Sequence, residues 1–296
     1  MFEDFTAHRI NTGSLNIACV TSGTGEPVLL LHGFPQTMAI WARIAPALVA
    51  RGYCVVCADL RGYGASDKPP AETGLMNYGF RAMARDQVML MQALGHSHFH
   101  VIGHDRGART AHRMALDYPD TVKSVTLMDI VPTVVMLKDL RHEVAKNYWH
   151  WFFLSQPAPF PERVIQTDAD FFFENCLFGW GAAGPEDFDP IQLEAYRAAW
   201  RDPETISGFC NDYRATLTVD LVDDLADEGR LIEAPVLVLY GDSGVMARLY
   251  DLPATWNARC SRLTSSPISG GHFFPDSQPD EVIEHVTRFL LNYPFA

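Results

Sequence analysis

Residues 99–110 read FHVIGHDRGART, and this stretch decides the fold. The apolar residues before Gly103 are typical of a buried strand, and those after Gly107 begin a helix. A glycine on each side of the turn permits a sharp, strained connection that lifts the central side chain into the open. That side chain is Asp105. Because it lies beside a helix N-terminus, whose N–H groups favour an anion, we predict that it is an ionised nucleophile.

Apolar runs bounded by turn residues recur along the chain, with helical stretches between them. This alternation predicts a mainly parallel sheet that is covered on both faces. The predicted strands are Val28–His32, Tyr53–Ala58, Phe99–Gly103, Ser124–Met128 and Val236–Gly241, and the predicted helices lie near Trp41–Arg51, Asn77–Leu94 and Gly107–Asp117. The stretch 131–225 is helical in pattern and rich in aromatic residues. We predict a core of residues 1–130 and 226–296, with residues 131–225 forming a helical cap over one end of the sheet.

Composition narrows the possible partners. The 296 residues are 48% hydrophobic and carry a formal net charge of −13, which argues against binding to nucleic acids or anionic membranes. The first ten residues lack the pattern of a signal peptide, and no apolar run is long enough to span a membrane, so we expect a cytoplasmic protein. The six cysteines are scattered, as is typical of buried thiols. We expect no metal and no cofactor.

A second motif, His32-Gly33-Phe34-Pro35, follows the predicted strand Val28–His32 directly. In the fold class that carries such a nucleophile turn, this second turn supplies one backbone N–H to an oxyanion hole, and the residue after the nucleophile supplies the other. Phe34 and Arg106 are therefore the predicted donors. We expect His32 to hold the turn by hydrogen bonds.

A base and an acid complete the predicted machinery. His272 lies in the glycine-rich segment 270–274, after the last strand, where the chain order of nucleophile, acid and histidine expects the base. Asp129 and Asp242 each end a predicted strand. Either could reach the histidine ring, so spacing alone leaves the acid undecided.

Two arginines, Arg106 and Arg109, lie one and four residues after Asp105. They are three residues apart and so share one helical face. Guanidinium groups suit a carboxylate, which they hold by paired hydrogen bonds. In a chain of net charge −13, two arginines beside a nucleophile indicate a local anion site.

Three segments together resemble a known family. They are GHDRGART at 103–110, YWHWFF at 148–153 and NDYR at 211–214. The chain is identified on these residues as similar to the haloacetate dehalogenases of the α/β-hydrolase superfamily, in particular the fluoroacetate dehalogenases. The resemblance implies an α/β-hydrolase fold with an inserted helical cap, a small haloacid as substrate, and a possible homodimer.

The same resemblance implies a role for each matched residue. Asp105 would be the nucleophile, His272 the base, and Asp129 rather than Asp242 the acid. The substrate carboxylate would be bound by Arg106 and Arg109. The cap residues that would donate hydrogen bonds to the departing halide are His150, Trp151 and Tyr213, with Trp180 lining the entrance. Such donors stabilise negative charge that develops only in the transition state.

Three other functions compete with this one. An epoxide hydrolase would share Asp105, the turn and His272, and Tyr213 and Tyr148 could protonate an epoxide oxygen, but two arginines beside the nucleophile do not suit a neutral substrate. A haloalkane dehalogenase would carry tryptophan where this chain has Arg106. A noncatalytic receptor for a small acid would have no need of a nucleophile, an acid and a base together.

Overall fold

A computed structural model describes residues 1–179 and 183–295 of the chain. Within these residues, eight strands form one sheet: β1 (Thr6–Asn11), β2 (Asn16–Ser22), β3 (Pro27–Leu31), β4 (Cys54–Ala58), β5 (Phe99–His104), β6 (Val122–Met128), β7 (Val236–Gly241) and β8 (Leu263–Ile268). Their order across the sheet is β1-β2-β4-β3-β5-β6-β7-β8. The pairs β1–β2 and β2–β4 are antiparallel, and the others are parallel. The predicted mainly parallel sheet is confirmed.

Helices cover the sheet and fill the stretch between β6 and β7. They are α1 (Ala45–Val49), α2 (Phe80–Ala93), α3 (Arg106–Asp117), α4 (Thr133–Lys138), α5 (His142–Asn147), α6 (Trp149–Leu154), α7 (Phe160–Ile165), α8 (Ala169–Phe178), α9 (Pro190–Trp200), α10 (Pro203–Ala215), α11 (Leu221–Ala226), α12 (Val245–Leu249), α13 (Leu252–Asn257), α14 (Phe274–Ser277) and α15 (Pro279–Leu291). Short 3-10 turns lie at Met38–Ala42, Met76–Tyr78 and Pro185–Asp187, and a π-helical turn lies at Thr216–Asp220. The cap boundaries 131–225 stay a prediction.

The sequence prediction missed some strands and misplaced the ends of some helices. It missed β1, β2 and β8, of which β1 and β8 are little buried and have no continuous apolar run. The helix expected near 41–51 is broken into a 3-10 turn and the short α1, since Pro46 is accommodated only in the first turn of a helix. Helix α2 begins at Phe80, after an extended Gly79, and not at Asn77.

The sheet brings four predicted site residues to one edge. Phe34 follows β3, Asp105 follows β5, Asp129 follows β6, and His272 lies between β8 and α14. The carboxyl ends of parallel strands meet at that edge, which is where open α/β sheets bind their ligands. Helices α6 and α10 contact each other and carry the predicted cap residues. Across the described residues, no helix combines the length and the apolar character needed to cross a lipid bilayer.

Candidate active site

Asp105 occupies the tight turn between β5 and α3. Its backbone has φ 47° and ψ −113°, a conformation that non-glycine residues rarely adopt. A Cβ on Gly107 would lie 2.3 Å from the carbonyl oxygen of Leu31, so only glycine fits there. Burial alone would raise the pKa of Asp105, but the nearby charges of His272, Arg106 and Arg109 lower it. The carboxylate is therefore ionised, as a nucleophile must be.

His272 and Asp129 lie together beside this turn. Nδ1 of His272 is 2.6 Å from Oδ2 of Asp129, and the backbone N–H of Gly241 donates to the other Asp129 oxygen at 3.0 Å. Burial alone would lower the pKa of His272, but the hydrogen bond to Asp129 and the charges of Asp129 and Asp105 raise it. Asp242 instead accepts a hydrogen bond from the backbone N–H of Gly270. The geometry thus pairs His272 with Asp129 and holds Asp242 apart from the ring.

The turn after β3 closes over the Asp105 carboxylate. The backbone N–H of Phe34 donates to Asp105 Oδ2 at 3.0 Å. His32 holds the turn, because its Nε2 accepts from the backbone N–H of Leu60 and its Nδ1 is 2.9 Å from the carbonyl oxygen of Gly33. Burial lowers the pKa of His32, which keeps the ring in the neutral form that these two bonds require. The N–H of Phe34 is thus aimed at the oxygen that would carry charge during hydrolysis of an ester on Asp105.

Arg106 and Arg109 are both buried near Asp105. The Nε and Nη2 groups of Arg106 donate to the carboxylate of Asp212, while Nη1 of Arg109 donates to the carbonyl oxygen of Val131 and to Thr133 Oγ1. Within residues 1–179 and 183–295, Nη1 of Arg106 and Nε of Arg109 have no hydrogen-bond partner. Each arginine therefore has one buried donor group that is free. The edge of Arg106 formed by Nε and Nη2, which could hold a carboxylate by two hydrogen bonds, is already occupied by Asp212.

The aromatic residues expected to bind the halide form one buried cluster. The ring of Tyr213 lies 5.7 Å from the rings of His150 and Trp151, and 5.1 Å from that of Phe34. Burial lowers the pKa of His150 well below its ordinary value and raises that of Tyr213. The imidazole and the phenol are therefore neutral at pH 7, and each carries a proton to donate. Trp180 lies outside the described residues.

A model of the alpha/beta hydrolase fold family matches residues 26–279. The chain belongs to the α/β-hydrolase family. The predicted fold class is thereby confirmed, and the turn between β5 and α3 that holds Asp105 lies where this family carries its nucleophile. A solved structure from Nostoc sp. PCC 7120, described as an α/β hydrolase, is 42% identical, with a TM-score of 0.95 over 98% of this chain and 99% of that one.

Curated relatives narrow the family further. This α/β hydrolase is 51% identical to a fluoroacetate dehalogenase from Burkholderia sp., over 98% of this chain and 95% of the relative. It is 28% identical to a soluble epoxide hydrolase from Corynebacterium sp. strain C12, over 98% of this chain and 99% of that protein. The resemblance to fluoroacetate dehalogenases is confirmed, and the likeness to this epoxide hydrolase is more distant.

The sequence did not predict two polar partners of the hydrolase site. Asp212 is fully buried and forms an ion pair with Arg106, and the hydroxyl of Tyr63 donates to Asp212 at 2.6 Å. Asp212 stood in the recognised segment NDYR, but its pairing crosses 106 residues, and no local pattern signals it. In the part of the chain that the structure describes, no group of three or more histidine, cysteine, aspartate or glutamate side chains could hold a metal ion.

Proposed function

We propose that this α/β hydrolase is a dehalogenase that hydrolyses haloacetate, preferably fluoroacetate, to glycolate and halide through an ester on Asp105. Its likeness to the Burkholderia fluoroacetate dehalogenase supports the reaction class. The observation that supports a haloacid as the substrate is a pair of buried donors. They are Arg106 Nη1 and Arg109 Nε, which lack a partner in residues 1–179 and 183–295. A buried donor without a partner is costly, and a substrate carboxylate would satisfy both groups.

The first step is an in-line displacement. The N–H of Phe34 holds Oδ2 of Asp105, which leaves Oδ1 to attack the carbon next to the substrate carboxylate. The carbon–halogen bond breaks as the ester bond forms, and the halide leaves toward the neutral donors His150, Trp151 and Tyr213. Because fluoride is strongly hydrated, these donors must replace its water shell. The bonding pair departs with the halide, so no proton is needed at Asp105.

The second step frees the enzyme. His272, oriented by Asp129, takes a proton from water, and the resulting hydroxide attacks the carbonyl carbon of the Asp105 ester. The negative charge develops on Oδ2, which the N–H of Phe34 already contacts and which the N–H of Arg106 would also reach. Glycolate leaves with the oxygen that came from Asp105 and takes the proton from His272, while the new Asp105 carboxyl group releases its proton to solvent, so both residues return to their starting forms.

An epoxide hydrolase is the second candidate, because Tyr148 and Tyr213 both contact the ring of His150 and could act as acids on an epoxide oxygen. A neutral epoxide would leave the free donors of Arg106 and Arg109 unsatisfied, at about 1–3 kcal/mol for each. We therefore favour the haloacid.

A substrate panel tests the proposal. Halide release and epoxide opening are measured with fluoroacetate, chloroacetate, 2-chloropropionate and styrene oxide. We expect release of halide from the two haloacetates and no opening of the epoxide. Activity confined to styrene oxide would overturn the proposal.

Removing one halide donor should cost more with fluoride than with chloride as the leaving group. We expect Tyr213→Phe and Trp151→Phe each to lower kcat on fluoroacetate by about 10²-fold and on chloroacetate by much less, because fluoride departs with more charge to stabilise. Tyr196→Phe is the matched control, since this buried tyrosine donates its hydroxyl proton to Asp276 instead. Equal losses on the two substrates would show that these groups do not act on the halide.

The pH dependence of turnover should follow His272. Against the effect of burial, the hydrogen bond and the charge of Asp129 raise the pKa of His272, and the base must be neutral, so kcat should fall as the pH drops through the pKa that His272 has in the ester. The pKa of Asp105 is lowered below 3.8, so the nucleophile stays ionised throughout this range. A single turnover of halide release should therefore persist at a pH at which steady-state turnover has been lost. Rapid-quench and steady-state assays over pH 5–9 measure both, and a parallel loss would contradict the assignment of His272 to the second step.

Substitution of each candidate acid in turn tests which one orients His272. Asp129→Asn should lower kcat by at least about 10²-fold and move the acid limb of the profile to lower pH, because the negative charge of Asp129, which raises the pKa of His272, is lost. Asp242→Asn is the matched control and should change kcat by less than about twofold. The reverse ranking would make Asp242 the acid.

We also propose that the enzyme is a cytoplasmic homodimer. Apolar side chains on the surface of the predicted cap support a second copy as partner, since Trp149 and Phe160 are 43% and 56% exposed. Light scattering behind a sizing column would measure the mass in solution, and a monomer at micromolar concentration would contradict the dimer.

A further inference from the structure

Asp212 ties the guanidinium group of Arg106 to helix α10. Its two carboxylate oxygens accept from Nε and Nη2 of Arg106, and its own backbone carbonyl accepts from Nη2 at 3.2 Å. Thr216 Oγ1 accepts a further bond from Nη2. Both partners of the ion pair are fully buried. Three of the five N–H bonds of the guanidinium, one on Nε and two on Nη2, therefore have an orientation that α10 and the turn after it determine.

Helix α10 is itself held firmly against the core. A Cβ on Gly208 would lie 2.3 Å from the carbonyl oxygen of Gly62, so the helix touches the loop after β4 backbone to backbone. The next residue of that loop, Tyr63, donates its hydroxyl proton to Asp212 Oδ2 at 2.6 Å. Two core residues, Tyr63 and Arg106, thus converge on one carboxylate of the cap. Asp212 is fixed from both sides.

The position of Arg106 depends on this carboxylate. With the Nε and Nη2 edge occupied, only Nη1 is left without a partner in the described parts of the chain. The guanidinium also stacks 4.5 Å from the rings of Phe80 and Tyr213. Without Asp212, the nearby negative charge of Asp105 would compete for Arg106, and pairing with it would occupy the nucleophile.

We propose that Asp212 is a positioning residue of the reaction. It orients Arg106 so that only Nη1 faces the substrate carboxylate, and it keeps the guanidinium away from Asp105. The inference rests on the proposed haloacid substrate. Because Arg106 and Asp212 together are neutral, Arg109 supplies the net positive charge that faces the substrate.

Asp212→Asn tests this role by separating kcat from KM. The substitution keeps the shape of the side chain but leaves the charge of Arg106 uncompensated. We expect kcat for chloroacetate to fall at least about tenfold while KM falls or stays equal, because the substrate is attracted but badly oriented. In an Arg106→Met background, the same substitution should lower kcat by less than about twofold. An unchanged kcat, a rise in KM, or an equal loss in the Arg106→Met background would overturn the inference.

Two further variants separate the proposed role of Asp212 from a loss of folding. Asp220→Asn alters another buried carboxyl group, which accepts from the backbone N–H of Phe80 at 2.6 Å and whose pKa burial raises to about 7, and it should leave kcat and KM within about twofold of the parent values. Tyr63→Phe removes only the hydroxyl that bonds to Asp212, and it should lower kcat by about threefold with little change in KM. If Asp212→Asn does not fold in a thermal melt, Tyr63→Phe decides: an unchanged kcat overturns the inference.

Binding of acetate separates this inference from the proposed function. Acetate carries the carboxylate but no leaving group, so saturation-transfer NMR measures its affinity without turnover. We expect Asp212→Asn to bind acetate at least about threefold more tightly than the parent enzyme, and Asp220→Asn to bind it equally. If the parent enzyme releases no halide from any haloacetate, the proposed function is wrong, and the acetate titration still decides on Asp212. Equal affinities in the parent and in Asp212→Asn would overturn its role.

Discussion

Asp105→Asn should abolish halide release, with kcat for fluoroacetate falling by about 10⁴-fold or more. The amide has no negative charge with which to displace fluoride from carbon. Its oxygen can still accept the hydrogen bond from the N–H of Phe34, which the carboxylate accepts at 3.0 Å, so the turn and the fold should survive. A fluoride electrode and a thermal melt measure the two effects separately.

The activity of Asp105→Asn must be compared with its folding before that experiment is interpreted. A folded Asp105→Asn protein that keeps more than about a hundredth of the parent kcat would show that another group attacks the substrate. Loss of activity together with an unfolded protein calls for Asp105→Ser, which is also expected to be inactive on fluoroacetate, because a serine hydroxyl attacks acyl carbons and is a poor nucleophile at an alkyl carbon that bears fluorine.

His272→Asn should stop the reaction halfway. The asparagine amide can still donate to Asp129, which His272 contacts at 2.6 Å, but it cannot take a proton from water. We expect one equivalent of fluoride per active site in a burst, followed by a steady-state rate about 10³- to 10⁴-fold below that of the parent. The trapped protein should be heavier by one carboxymethyl group, and peptide mapping should place that group on Asp105.

A histidine elsewhere on α3 provides the control. His112 lies on α3, seven residues after Asp105, and its ring packs 5.1 Å from the ring of Trp256. His112→Asn should turn over like the parent enzyme and carry no adduct. A His272→Asn protein that releases no fluoride at all would mean that the histidine acts in the first step, which the two-step account does not allow.

Local features of this fold were predictable from the sequence. The strand, turn and helix around Asp105 are encoded in twelve consecutive residues, so their pattern predicts the element boundaries to within one residue. Exposed β1 was missed because its contacts with β2, and not a run of apolar residues, hold it in the sheet. A pattern of apolar residues predicts only elements that are buried, and a strand at the edge of a sheet is little buried.

Long-range pairing was the part of the site that spacing could not predict. Asp129 and Asp242 both follow strands, and only the way the chain folds brings Asp129 Oδ2 to His272 while Asp242 contacts Gly270. The resemblance to a family chose Asp129, whereas the residues alone left both open. The ion pair of Asp212 with Arg106 had no such guide, because a buried aspartate on a helix looks like a surface one until its partner is known.

The oxygen atom that enters in the first turnover tests the central claim most directly. With enzyme in excess over fluoroacetate in heavy-oxygen water, the account predicts that the label enters the Asp105 carboxylate, while the first glycolate carries the unlabelled oxygen of the aspartate. Mass spectrometry of the Asp105 peptide and of the product measures both. Label in the first glycolate, with an unlabelled Asp105, would mean that water attacks the substrate directly, and it would contradict the covalent mechanism.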